Sequence, residues 1–141
     1  MANGSDRMGG TQPKVGSGRL VLTRWLPLLA YVALVFILSA QPNLSVPGTF
    51  RYRDKVMHLL EYGPLGFLLA RALRATLRVP MPVVAAIMAV ALGILVGATD
   101  ETIQRFTPGR ESSIYDVAAD TVGLTIAQFI YLAATRERRA A

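Results

Sequence analysis

The sequence predicts an all-α, membrane-embedded four-helix bundle, and three observations carry that expectation. Of its 141 residues 52% are hydrophobic and 17% charged, against about 45–50% and about 25% in ordinary soluble domains. The apolar residues gather into four segments of nearly membrane-spanning length, and the basic residues cluster at the ends of those segments on alternate connections. Strands are not expected, because there is no two-residue alternation and an open sheet cannot span lipid. With no cysteine in the chain, disulfides are excluded and the redox compartment stays open.

Residues 1–19, MANGSDRMGGTQPKVGSGR, are rich in glycine, serine and polar groups, bury too little to fold alone, and read as a disordered basic cytoplasmic lead-in. The four-helix domain is expected over residues 20–135, with a basic cytoplasmic tail over 136–141. Its first apolar segment, Trp25 to Ala40, is shorter than the roughly 20 residues that cross a bilayer, and Leu20 to Leu22 extend it if Arg24 snorkels. Basic residues before it and Leu38-Ser39-Ala40 at its end resemble a secretory leader. Leucine is a poor third-from-last residue for cleavage and the leader is long, so a retained span is expected. The second segment runs from Val56 to about Leu73, the third from Pro82 to Thr99 and the fourth from Val117 to Ala134, each about 18 residues and long enough to span.

A net charge of +6 raises the question of nucleic acid, and the placement of the charges answers against it. Ten of the fifteen Lys and Arg fall in the amino terminus (Arg7, Lys14, Arg19, Arg24), the second connection (Arg71, Arg74, Arg78) and the carboxyl terminus (Arg136, Arg138, Arg139). With four spans these three regions share one face, which the positive-inside rule makes cytoplasmic, so both termini are expected inside a bacterial inner membrane. Seven of the nine acids (Asp54, Glu61, Asp100, Glu101, Glu111, Asp116, Asp120) lie in or beside the opposite half, so the polar chemistry is expected to be extracytoplasmic. With no acid in the inner halves, there is no polar path for transport across the membrane.

Asp54, His58 and Glu61 are spaced i, i+4, i+7 and share a helix face, followed by a Gly63-Pro64 kink signal. Asp100 and Gln104 share a face of the third helix with Glu101 beside them. Gly93 and Gly97 precede them as a GxxxG pair that would let a neighbouring backbone approach and favour a homo-oligomer. Asp116, Asp120 and Gly123 repeat the spacing on the fourth helix, where Ser113 and Asp116 fit a capping-box-like start. Asp120, about one turn deeper, needs a partner, and Arg110 or His58 would serve. Helix-dipole complementation and buried ion pairs would account for many of these acids structurally. Carboxylates, an imidazole and a guanidinium converging from three helices exceed what capping requires. Arg51, Arg53 and Lys55 read as interfacial anchors, and Tyr52, Tyr115 and Trp25 as interfacial aromatics.

The patterns D-K-x-x-H-x-x-x-Y from Asp54 to Tyr62, D-E-x-x-Q-x-F-x-P-G-R from Asp100 to Arg110, and S-x-x-D-x-x-A-D-T-x-G from Ser113 to Gly123 together resemble the VanZ-like family of small bacterial membrane proteins. The family is named for a protein associated with low-level teicoplanin resistance, so the resemblance implies an envelope context. In this chain Asp120 stands where family members often have Asn, and Ile103 where a second histidine is common.

The expected function is binding, or acting on, an envelope lipid or lipid-linked cell-wall precursor in an outward cavity, with Arg110 holding an anionic group. The alternative is an intramembrane hydrolase or transferase with Glu101 or Asp100 as base, His58 as acid and Arg110 stabilising negative charge. A purely structural polar cluster is the third reading. Membrane lipids are the expected partners, with no nucleic acid. No resident cofactor or metal is assigned, although a divalent ion held by Asp54, His58, Asp100 and Asp120 is a variant of the enzyme reading.

Overall fold

The computed structural model describes residues 17–44, 49, 51–77 and 81–140. Most of the lead-in, and Arg78, lie outside the described residues. The elements are α1 (Ser17–Leu20), a π-helical turn (Val21–Trp25), α2 (Leu26–Ser39), α3 (Arg53–Leu77), α4 (Pro82–Phe106) and α5 (Ile114–Ala140). Among the described residues there is no strand.

Each long helix buries one stripe whose character changes along its axis. On α3 the stripe begins with His58 and Tyr62 and continues through Leu65, Leu69 and Leu73. On α4 it runs through Ala85, Ala89, Gly93 and Gly97 and ends in Asp100, Glu101 and Gln104. On α5 it begins with Asp116 and Asp120 and continues through Leu124, Ala127 and Tyr131. The helices alternate in direction, so all the polar ends meet at one level and the small and aliphatic residues fill the rest. Outward residues are apolar instead: Ile87, Leu95 and Phe129 are 64%, 63% and 70% exposed. Apolar outside and polar inside is the arrangement lipid demands.

Among the described residues three helical stretches are long and apolar enough to cross a membrane, Leu22–Ser39, Pro82–Phe106 and Ile114–Arg136. The expected second span, α3, is as long as α4 but carries Arg53, Asp54, Lys55, His58, Glu61, Arg71 and Arg74. It packs against α2, α4 and α5, most extensively α5, and these neighbours shield its polar face. Pro64 lies inside α3, which continues as helix through it.

The π-helical turn was not foreseen. Pro27 has no N–H to give to the Thr23 carbonyl one turn back, and that carbonyl instead accepts Arg71 Nη2 at 3.0 Å. Trp25 Nε1 donates to Thr76 Oγ1 at 2.7 Å, so Trp25 ties this turn to the far end of α3 as well as standing at the interface.

Glycine brings α5 onto α3: a Cβ on Gly123 would lie 2.3 Å from the Leu59 carbonyl oxygen. The expected close backbone approach at Gly93 and Gly97 takes a different form. Their missing side chains admit Leu124 and the Asp120 carboxylate of α5, so the pair is filled within the chain. At the polar end, the Asn43 amide donates to the Pro108 carbonyl at 3.0 Å. Gly109 turns the chain there with φ 74°, a conformation that favours glycine.

Candidate functional site

The polar ends of all four long helices converge on His58. Its Nδ1 lies 3.0 Å from Asp120 Oδ1, and its Nε2 faces Glu101 Oε1 at 3.9 Å. Asp100 accepts Ser39 Oγ from α2 and Gln104 Nε2 at 2.9 Å. Asp100, Asp120, Glu101, Gln104 and His58 are all buried. His58 therefore pairs with Asp120, and Arg110 does not: the Arg110 guanidinium reaches the Leu44 carbonyl at 3.5 Å and forms no ion pair among the described residues.

The expected capping box is rearranged. Ser113 Oγ accepts the Tyr115 amide at 3.2 Å, as an N-cap should. The reciprocal acceptor for the Ser113 amide is Glu101 Oε2 of α4 at 2.8 Å, not Asp116. Asp116 is free to bind Lys55, whose Nζ sits 2.8 Å from Asp116 Oδ1 and 2.8 Å from Asp54 Oδ2. Lys55 is thus a cross-link between α3 and α5 rather than only an interfacial anchor. Hydrogen bonds to Asp116 and then Asp54 hold its ammonium well above the ordinary lysine range. The Lys55 hydrogen bond in turn lowers Asp54 below the usual carboxylate range.

Above this buried layer opens a cleft of about 640 Å³, whose lining includes Arg51, Arg53, Asp54, His58, Arg110 and Asp116. Gln104, Glu111 and Asn43 complete much of its wall. Eight of the nine residues singled out in the sequence (Asp54, His58, Asp100, Glu101, Gln104, Arg110, Asp116 and Asp120) are therefore on the cleft or packed directly behind it. Glu61 is not on the cleft wall. It is half-buried on the α2 side, where its backbone carbonyl accepts Tyr31 Oη at 2.9 Å. Sequence reasoning missed Ser39 and Lys55 as site residues. Ser39 had no polar neighbour in its segment to mark it, whereas the D-K pair at Asp54 and Lys55 was a signal read as anchoring.

The four-ligand metal set is not assembled, since Asp54 is held by Lys55 and Asp120 takes the Nδ1 side of His58. Atoms of His58, Asp100 and Glu101 instead lie within 4.8 Å of one another. This arrangement offers a base and an orienting carboxylate on either side of one imidazole.

The family model described as VanZ/LLP1 matches residues 8–135, which includes all three site motifs. The chain belongs to the VanZ/LLP1 family. No curated protein and no solved structure matches it.

Proposed function

We propose that this VanZ/LLP1 protein binds the anionic head group of an envelope lipid or lipid-linked cell-wall precursor in the polar cleft. The cleft opens to the extracytoplasmic face of a bacterial inner membrane, with both termini in the cytoplasm. The observation that carries this reading is the cleft itself, walled by Arg51, Arg53 and Arg110 at the level where the bundle emerges from its apolar belt. The Arg110 guanidinium makes one long contact to a backbone carbonyl, which leaves other donors of its fork for a phosphate or carboxylate. The apolar outer surface of the bundle supports access for a lipid tail from the side. The envelope context that the VanZ resemblance implies, including a link to glycopeptide resistance, fits such a ligand.

Native mass spectrometry or thermal-shift measurement with lipid-linked precursors and anionic phospholipids tests this. Binding to Arg110→Ala should be at least about tenfold weaker, about 1.4 kcal/mol, than to wild type. Equal binding to the two proteins, or none to either, sinks the reading.

A second reading, an intramembrane hydrolase or transferase, is favoured by one observation: His58 lies between Asp120 and a Glu101 oxygen that is buried without a hydrogen-bond partner. Asp120 would orient the imidazole, His58 would donate a proton, Glu101 or Asp100 would act as base, and Arg110 would stabilise developing negative charge. Turnover of a lipid-linked substrate that disappears in Glu101→Gln supports it, and turnover that survives removes Glu101 as base.

A further inference from the structure

We propose that His58, Asp100 and Glu101 bind one divalent cation of the Mn²⁺ or Zn²⁺ type, with Asp120 orienting the imidazole. Asp120 Oδ1, 3.0 Å from Nδ1, is satisfied there when Nδ1 carries the hydrogen, which leaves the lone pair of a neutral imidazole on Nε2. Nε2 faces Glu101 Oε1 at 3.9 Å, beyond hydrogen-bond range, and that oxygen is buried with no partner. In that neutral tautomer two acceptors face each other across a gap that a cation would fill.

Asp100 supplies the third donor, since ligand atoms of all three residues lie within 4.8 Å of one another. Metal–ligand distances of about 2.0–2.2 Å at tetrahedral angles set ligand atoms about 3.3–3.6 Å apart, so binding must draw the three side chains together by up to about an ångström. Each ligand is already held from behind: His58 by Asp120, Asp100 by Ser39 and Gln104, and Glu101 by the Ser113 amide. Such outer partners are what fix metal ligands in place. One imidazole with two carboxylates suits Mn²⁺ or Zn²⁺ better than an all-oxygen cation such as Ca²⁺.

Charge points the same way. Asp100, Glu101 and Asp120 are buried around a single imidazole, and among the described residues no lysine or arginine forms an ion pair with any of them. Lys55, the nearest lysine in the site, is engaged by Asp54 and Asp116. A divalent ion compensates charge that one imidazolium would leave in excess. The ion has a route in, because His58 and Gln104 line the open cleft. Once bound it would also offset the acids beneath an incoming head group. That consequence rests on the head-group reading, whereas ion binding does not.

The test uses the full chain, purified through a tag without histidine, stripped with chelator and titrated with Mn²⁺ under electron paramagnetic resonance. The expected result is one Mn²⁺ per chain, displaced by Zn²⁺, with coupling to an imidazole nitrogen in the pulsed spectrum. Glu101→Gln should weaken binding at least tenfold, and Asp120→Asn about 10–100-fold as a positioning residue. Circular dichroism establishes that both variants remain folded. Because the chain has one histidine, ¹⁵N spectra of wild-type protein decide independently of any variant. Both ring nitrogens protonated in the presence of Zn²⁺ would make His58 the cation of a plain ion pair and overturn the proposal. So would the absence of saturable Mn²⁺ binding, or equal binding by Glu101→Gln. Ion stoichiometry is measured without lipid and head-group discrimination through Arg110→Ala, so the two readings fail separately.

Discussion

Lys55 holds the rim of the site through two carboxylates on different helices, at 2.8 Å each. Replacing it by Met leaves Asp116, 3% exposed, without its ammonium partner. A buried acceptor that loses its donor costs about 1–3 kcal/mol, so Lys55→Met should lower detergent-phase stability by that amount in thermal or denaturant unfolding. The pH dependence has a definite sign. Asp54 is lowered in the folded protein, so its contribution is present above the ordinary carboxylate range and fades as pH falls through its lowered value. Lys55 is raised, so its contribution is present below the ordinary lysine range and fades only as pH rises beyond it. The cross-link should thus act evenly across neutral pH, and the wild-type minus Lys55→Met difference should shrink only at the extremes. Residue identities at this rim were legible from spacing, but partners were not. Whether Asp116 caps its own helix or binds Lys55 depends on Glu101 of another helix taking the Ser113 amide, a choice made by how two helices are rotated against each other.

At the scale of the helices, the apolar segments located each helix but understated its length, and α3 does not reach the apolar composition of a span. The α3 segment was expected from Val56 to about Leu73 and the helix runs Arg53–Leu77, while α4 continues past Thr99 to Phe106. Apolar length reports the depth of hydrocarbon to be crossed, whereas backbone hydrogen bonding continues as long as the polar ends find partners. Those added turns carry Asp54, Glu101 and Gln104, so the site is built on helix that extends past the apolar segments. The α3–α5 contact that aligns these ends depends on glycine, and two substitutions separate the kinds of contact involved. At Gly123 an added Cβ meets the Leu59 carbonyl at 2.3 Å, which is backbone and cannot step aside. At Gly93 it meets the methyl ends of Leu124 at 2.4 and 2.6 Å, which can rotate. Gly123→Ala should therefore cost about 1–3 kcal/mol or more and separate α3 from α5, while Gly93→Ala costs less. A reversed order in unfolding midpoints would mean that α3 and α5 are not packed this closely.

Across the whole molecule, charge is distributed unevenly: the acids gather at the end that carries the cleft, where Arg51, Arg53, Arg110 and Lys55 accompany them, while Arg24, Arg71 and Arg74 lie at the other end. Arg24, Arg71 and Arg74 surround a second cavity of about 620 Å³ at that far end, separated from His58 by the length of α3 between residues 58 and 71, about 20 Å at 1.5 Å per residue. From this asymmetry the positive-inside rule predicts an orientation, the arginine end cytoplasmic and the cleft outside. The four-helix class was legible in the spacing of the apolar segments, but orientation is a property of the bilayer's two faces and has to be measured against them. The chain contains no cysteine, so single cysteines can be introduced without removing any. Ser112, exposed on the turn beside the cleft, and Leu77, exposed at the arginine end of α3, are suitable positions that no proposed ligand contact uses. In intact cells a membrane-impermeant maleimide should label Ser112→Cys and leave Leu77→Cys unlabelled until the membrane is permeabilised. The opposite pattern would put the cleft in the cytoplasm. It would then face nucleotides, soluble phosphates and the inner leaflet, and the outward-facing part of the head-group reading would fail.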